Sequence, residues 1–386
     1  MLLNWAYHLF PPRHVQSILL NLMLPIGDTL FATPTVRALR QRFPQAHIAA
    51  LVFPTNAGVL YANEDIDEVI LHPTRQTFTP LAYLRFLRAM WRRRFTLAVE
   101  FRPYVWWLSL LCGVWRRLSL DIPVYQWFLP LGARPWKHRH AISSYATVPR
   151  ILGLRIDGSR LVVRTTEADR AWVASLLSTQ GISAHDRVIA LHPGGEGFRG
   201  MKRWEAARFS ALGDRLARRY GARIVIVGGH DELALARDVA AGMREPAVVL
   251  NGHVSLGQTV AVLERCYLFV GNDSAPLHMA GSLGIATVGI FGPTSLINYR
   301  PVGPYVEIAC SGVACSPCFH FVGSHPVWAG SRCRVPTCLH ALAVTSVLDA
   351  AERALARKGN ETKAGAPPLA PDDMATAGPA PHNSSQ

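Results

Sequence analysis

The sequence predicts an α/β protein made of two doubly wound domains. Three observations carry this prediction. Short, continuous apolar runs alternate with helical patterns; the alternation restarts past the middle of the chain; and the apolar runs end in polar or Gly-rich loops. Uninterrupted apolar runs suit strands buried on both faces, as in parallel sheets, and the helical segments supply the crossovers. A chain of 386 residues also exceeds one ordinary core and divides readily into two.

In the first half, "SILLNLML" reads as a buried strand, followed by a helix over Thr29 to Phe43 that Pro44 ends. "HIAALVF", "EVILH" and "FTLAVEF" read as further strands. Thr79 to Arg94 reads as an amphipathic helix. Leu81, Leu84, Leu87 and Trp91 share one face, with Arg85, Arg88 and Arg92 beside it. Ser143 to Leu154 also has helical character. In the second half, "RVIALHPGG", "ARIVIVGG", "AVVLNG", "YLFVGND" and "ATVGIFGP" read as strands running into loops, with helices between them. We expect domains over 1–165 and 166–357. A tail over 358–386, rich in Pro, Ala, Gly and Ser, lacks the apolar residues that folding needs.

The net charge of +14 and pI near 9.9 favour polyanionic partners: nucleic acid, an acidic membrane surface or phosphorylated substrates. Between Arg75 and His140, twelve Arg or Lys face only Glu100 and Asp121, and six of the ten Trp fall there. Arg interleaved with Trp and Leu reads as a membrane interface, or as a partly buried surface over which long cations snorkel. It is not the open polar stripe of a nucleic-acid binder, so no nucleic acid is expected. The N-terminal stretch lacks a basic n-region, and the 11-residue run "VWWLSLLCGVW" falls short of the ~20 residues of a spanning helix. We expect a cytoplasmic protein with reduced cysteines, in peripheral contact with a membrane.

In open α/β sheets, ligands bind at the carboxyl ends of strands. Four loops occupy such ends. In Gly27-Asp28-Thr29, glycine permits a tight turn, and Asp28 reads either as a helix N-cap or as a general base facing the cleft. In "HPGGEGFRGMKRW", backbone N–H groups with Lys202 and Arg203 could hold a phosphate, although the Gly-Lys-Ser/Thr order of a P-loop is missing. In "VGGHDE", Glu232 could bind ribose hydroxyls or serve only in a helix first turn. In "GNDSAPLHMAGSLG", Asp273 and Ser274 precede a helix whose N-terminus can point at an anion, and Gly292 and Thr294 follow on the next strand end.

At these loops the sequence resembles glycosyltransferase family 9, the ADP-heptose:lipopolysaccharide heptosyltransferases. The resemblance covers roughly residues 16–355. Its carriers are "GDTLFATPTVRALRQRFPQAHIAALV", "LHPGG…KRW" and "GNDSAPLHMAGSLGIATVGIFGPT". It implies the GT-B fold, two Rossmann-like domains facing each other across a cleft. It also implies an inverting, metal-independent transfer of heptose from ADP-heptose onto a lipopolysaccharide core or lipid A-linked acceptor, with no cofactor, at the cytoplasmic face of the inner membrane. By this resemblance Asp28 is the base. Lys202, Glu232, Asp273 and Ser274, with Gly292 and Thr294, belong to the donor site, and His278 has a structural place. Gly27 is assigned to the acceptor side. Arg102, in an aromatic insert that the resemblance matches poorly, is assigned there too.

Two same-site alternatives stay open: a transferase of the same fold using another nucleotide-hexose for surface polysaccharide, and a non-catalytic module that binds anionic glycolipid. Cys310, Cys315, Cys318, Cys333 and Cys338, with His320, His325 and His340 nearby, have a spacing that permits zinc. Reduced thiols in a folded segment are the reading adopted, and no metal site is assigned.

Overall fold

The computed structural model describes residues 15–364, apart from 75–78, 102–105, 121–131, 134–139, 147–148, 151, 155, 157–159, 196–199, 323–324, 329–332 and 334. Arg102, much of the aromatic insert, Glu196 to Arg199 of the Gly-rich loop and most of the expected tail therefore lie outside the described residues.

Two six-stranded parallel sheets organise the chain. The first contains β1 (Ser17–Asn21), β2 (His47–Val52), β3 (Glu68–Leu71), β4 (Leu97–Glu100), β5 (Arg117–Leu120) and β6 (Gly132–Ala133), in the order β3-β2-β1-β4-β5-β6. The second contains β7 (Arg187–His192), β8 (Ala222–Ile226), β9 (Ala247–Val249), β10 (Leu268–Asn272), β11 (Ala286–Ile290) and β12 (Val306–Ala309), in the order β12-β11-β10-β7-β8-β9. Each is the same doubly wound order, read from opposite edges. The strand order reverses between β1 and β4 in one sheet and between β7 and β10 in the other. Those switch points are where such sheets open a crevice for a ligand. The central strands β1, β10 and β11 are buried along their whole length, as their unbroken apolar runs require.

Helix α1 (Ile26–Arg42) begins three residues before the expected Thr29 and follows β1 directly. Pro34 sits inside it and cannot donate to the Leu30 carbonyl one turn back. The Thr33 hydroxyl takes that place, donating to Leu30 O at 2.7 Å. Thr33 thus satisfies the carbonyl that the internal proline leaves without its helical donor. A run of α1 from Thr29 to Val36 is buried, and Phe31 packs edge-on against His278 of the second half, ring centroids 4.6 Å apart. Leu30, Phe31, Leu277 and Phe291 belong to one continuous apolar core, so the halves share packing at their seam.

Helix α2 (Pro80–Arg92) starts where Thr79 accepts the Ala82 N–H at 3.1 Å, with Pro80 in the first turn. The four residues expected on one face divide, with Leu87 turned to the core and the other three to the surface. Tyr83, Phe86, Leu87 and Met90 pack inward on Leu19, Met23, Ile70 and Leu108, whereas Leu81, Leu84 and Trp91 point outward. At the other end of the chain, the helix over residues 344–364 carries on past position 358, so the expected tail begins inside it.

A buried polar group lies beneath α3 (Trp106–Leu111). Glu100 ends β4 opposite Asn21 of β1, and both are essentially without solvent exposure. Burial pushes the Glu100 carboxyl up to about 7, although Ser109 and the Arg117 guanidinium pull the other way. Because the folded state holds this proton more tightly than the ordinary 4.5, stability is full below pH 4.5 and declines as pH rises through 7. The group should remove about 3 kcal/mol between pH 4.5 and 8. Urea unfolding of Glu100→Gln across that range should show a flatter pH profile than the parent; equal slopes would mean that Glu100 is not the titrating group.

Candidate active site

Both sheets aim their switch-point loops at one seam. On the first sheet, β1 runs through Leu24 into Pro25, which holds the N-cap position of α1 without a side-chain cap. Asp28 is therefore not the cap. It stands in the first turn, where the helix dipole favours a carboxylate. The Tyr145 hydroxyl, from α4 (Ala141–Tyr145), donates to Asp28 Oδ1 at 3.0 Å. Tyr145 is buried, and it also packs edge-on against Phe101. Asp28 itself is half-buried, held at the rim rather than inside the core.

On the second sheet, the loops after β7, β8 and β10 are tied together by side chains. Lys202 Nζ donates to Asp273 Oδ2 at 2.7 Å and lies over the Phe319 ring, 5.6 Å from its centroid. Burial alone would raise the Asp273 carboxyl, but the Lys202 ammonium outweighs it and holds the group below its ordinary range. Asp273 is therefore an anion at neutral pH. The Thr294 hydroxyl, buried beside it, also favours the charged carboxylate. The Asn272 amide donates to Pro193 O (2.8 Å) and Gly194 O (2.9 Å), and its oxygen accepts from Trp204 N–H. This fixes the Gly-rich loop against the β10 loop. Ser274 precedes α5 (Ala275–Ser282), and its hydroxyl turns back to Asn272 O at 3.0 Å.

Glu232 braces the same loops. Its Oε1 accepts from Gly195 N–H at 2.7 Å and its Oε2 from Gly229 N–H at 3.1 Å. A Cβ at Gly194 would lie 2.1 Å from Oε1, so only glycine leaves room for this carboxylate. Asn251, past β9, approaches Gly228 almost as closely, and both of its amide atoms are buried without a partner among the described residues. An unpartnered amide of this kind points to a missing ligand or water. Gly292 is held close against the segment that follows it. A Cβ there would meet Leu339 at 2.7 Å, so its absence makes room for the helix Thr337–His340.

His278 links the two sides. It lies 3.8 Å from Asp273 Oδ1 through Nε2, packs edge-on against Phe31, and its ring would be 3.6 Å from a Cβ at Gly27. Burial holds it down at about 4, so the ring is neutral near pH 7. A second histidine closes the seam beside it. Nε2 of His140 bonds Arg300 O at 2.7 Å, while its Nδ1 accepts from Ile142 N–H. Those partners require a neutral imidazole with the proton on Nε2, which burial also favours.

The structure thus brings Lys202, Glu232, Asp273 and Thr294 together, with Gly27 and Asp28 across the seam. Sequence reasoning missed Tyr145, Asn272, Asn251 and His140. Asn272 was the most accessible of these, since it directly precedes Asp273 at a strand end. Among the described residues no group of three His, Cys, Asp or Glu could hold a metal ion. The expected cysteine cluster consists of free thiols, with Cys338 buried and Cys310 and Cys315 exposed, and His340 is paired with Glu205.

Paired Rossmann-like sheets, with the Lys202–Asp273 loops on one and Asp28 on the other across a seam, have the architecture of a GT-B glycosyltransferase. The chain belongs to glycosyltransferase family 9 (heptosyltransferase), whose model matches residues 134–328. It is 24% identical over 293 residues to lipopolysaccharide heptosyltransferase 3 of Escherichia coli, covering 71% of this chain and 83% of that protein. The fold is shared with a family 9 glycosyl transferase from Veillonella parvula (TM-score 0.78, 23% identity, 89% of this chain and 98% of the other). It is shared too with E. coli ADP-heptose LPS heptosyltransferase II (TM-score 0.70, 18% identity, 89% and 99%).

Proposed function

We propose that this glycosyltransferase moves heptose from ADP-heptose onto a lipopolysaccharide core acceptor, with inversion and without a metal, in peripheral contact with the cytoplasmic face of the inner membrane. The observation that carries this reading is the juxtaposition across one seam of Asp28 with the Lys202–Asp273 pair. The donor and acceptor classes follow those named for the related heptosyltransferases.

In the proposed reaction, donor and acceptor enter from opposite sheets. Lys202 meets the diphosphate, whose negative charge grows as the glycosidic bond breaks, and its ammonium with the α5 N-terminus stabilises that charge. Asn251 and Glu232 stand at the nucleotide end, where a ribose or base would supply the partners that the Asn251 amide lacks. Asp28 takes the proton from the acceptor hydroxyl as it attacks from the far side. Backside attack inverts the anomeric carbon. Gly292, Ser274 and Thr294 shape the donor side, and Gly27 lets the acceptor approach; Arg102 is retained as an acceptor contact.

Purified protein should be offered truncated lipopolysaccharide with ADP-heptose, UDP-hexoses and GDP-hexoses in turn, and the product weighed by mass spectrometry. The expected result is one added heptose, from ADP-heptose alone. Turnover only with a hexose donor would establish the same-fold alternative. Tight glycolipid binding that survives Asp28→Ala, with no turnover from any donor, would establish the binding module.

A further inference from the structure

Half of the large apolar side chains that the described surface exposes lie within one short stretch of the first domain: Leu81, Leu84, Trp91, Trp107, Leu111 and Trp115. They come from α2, α3 and the turn after α3, and they form one surface. Trp91 Nε1–H donates to Leu111 O at 2.6 Å, which fastens the end of α2 to the end of α3. The Trp91 indole lies on Gly113, where a Cβ would come within 3.1 Å of the ring. The inward stripe of α2 already fills the space over the sheet, so the outward stripe is surplus to the fold. Contiguous exposed apolar surface of this kind marks an interaction site.

The charge around it is one-sided. Arg85, Arg88 and Arg92 fall on the same outward arc of α2, at helical spacing with Leu81, Leu84 and Trp91. All three are exposed or half-buried, and among the described residues no carboxylate pairs with them. Between positions 69 and 120 the sequence holds a single acid, Glu100, and it is buried.

Three occupants can be weighed against these facts. A second copy of the chain docked face to face would set these arginines against themselves without acids to pair them. A nucleic acid would satisfy the arginines and leave Leu81, Leu84 and Trp91 facing phosphate. An anionic bilayer satisfies both: arginines meet lipid phosphates, while Trp and Leu enter the interface below them. The placement agrees. The chain leaves β4 for α3 at Glu100, the register partner of Asn21, and Asn21 ends the strand that leads to Asp28. The apolar face therefore belongs to the half that carries the proposed base.

We infer that the outward faces of α2 and α3 dock the enzyme on an anionic phospholipid surface. This rests on the reading of the acceptor as a membrane-anchored glycolipid, and it assigns that contact to named residues.

The full-length protein should be sedimented with vesicles of phosphatidylcholine alone and of phosphatidylcholine mixed with phosphatidylglycerol, at low and high salt. It should pellet with the mixed vesicles at low salt, and release with added salt. Leu81→Ser/Leu84→Ser and Arg85→Glu/Arg88→Glu should each reduce partitioning about tenfold or more. Both should keep the parental melting temperature and the parental rate on a detergent-dispersed acceptor. Parent protein that stays in the supernatant with both vesicle types would overturn membrane docking, while transfer measured in detergent stands or falls separately. Variants that pellet like the parent would move the contact to another face. Concentration-dependent dimerisation that both variants abolish, without vesicle binding by the parent, would replace the bilayer with a second copy.

Discussion

Asp28→Asn should lower kcat by about 10²–10⁴-fold, the usual contribution of a positioned general base, with ADP affinity unchanged. Asparagine keeps the size of the side chain and can still accept the Tyr145 hydroxyl with its amide oxygen, so the bond at 3.0 Å and the first turn of α1 survive. What it loses is the ability to take a proton. The variant therefore separates two roles that a structure alone superimposes: holding the seam and accepting the proton. Tyr145→Phe gives the complementary result. Tyr145 touches Asp28 and not the reacting atoms as proposed, so its loss should reduce kcat less than the asparagine substitution does. Single-turnover transfer followed beside ADP titration calorimetry measures both. Undiminished turnover by Asp28→Asn would remove the base assignment and leave Asp28 as a helix-dipole partner only.

The strand-end loops were legible in the sequence because each follows an apolar run too short and too continuous to be anything but a buried strand. The chain order of those runs, taken with the handedness of parallel crossovers, nearly dictates where the switch points fall. Gly27-Asp28 and Asn272-Asp273-Ser274 could be set at strand ends for that reason. Tyr145 was not legible, because its bond to Asp28 spans 117 positions of chain and no local pattern encodes it. The grouping of Leu87 with Leu81, Leu84 and Trp91 did not hold, for a different cause. Both stripes of α2 are apolar, so periodicity gave the helix but not which side meets the sheet; packing settled it in favour of Tyr83, Phe86, Leu87 and Met90. Glu100 escaped notice since a single acid ending an apolar strand looks like an ordinary solvent-facing terminus. Only α3 lying over it makes it a buried titrating group.

Lys202→Met should cost a factor of about 10²–10³ in kcat/KM, comparable to removing a preorganised donor that faces developing charge. The resting pair explains why the loss need not be simple to read. Asp273 is buried and ionised, and the Lys202 ammonium at 2.7 Å is the strongest attraction that keeps it so. Deleting the cation alone strands a buried carboxylate, which typically destabilises by about 3–5 kcal/mol. Lost activity could then reflect lost fold. The double variant Lys202→Met/Asp273→Asn removes both charges together and should recover most of the thermal stability. If Lys202 acts on the diphosphate, the double variant stays as slow as the single one, and its ADP affinity stays weak. If Lys202 serves only to neutralise Asp273, rate and affinity return with stability. Unfolding midpoints, ADP calorimetry and kcat/KM on the three proteins decide between these outcomes. The physical reason to expect the first lies in the geometry: an ammonium held between a carboxylate and the Phe319 face is already oriented, and an arriving diphosphate has only to compete for it.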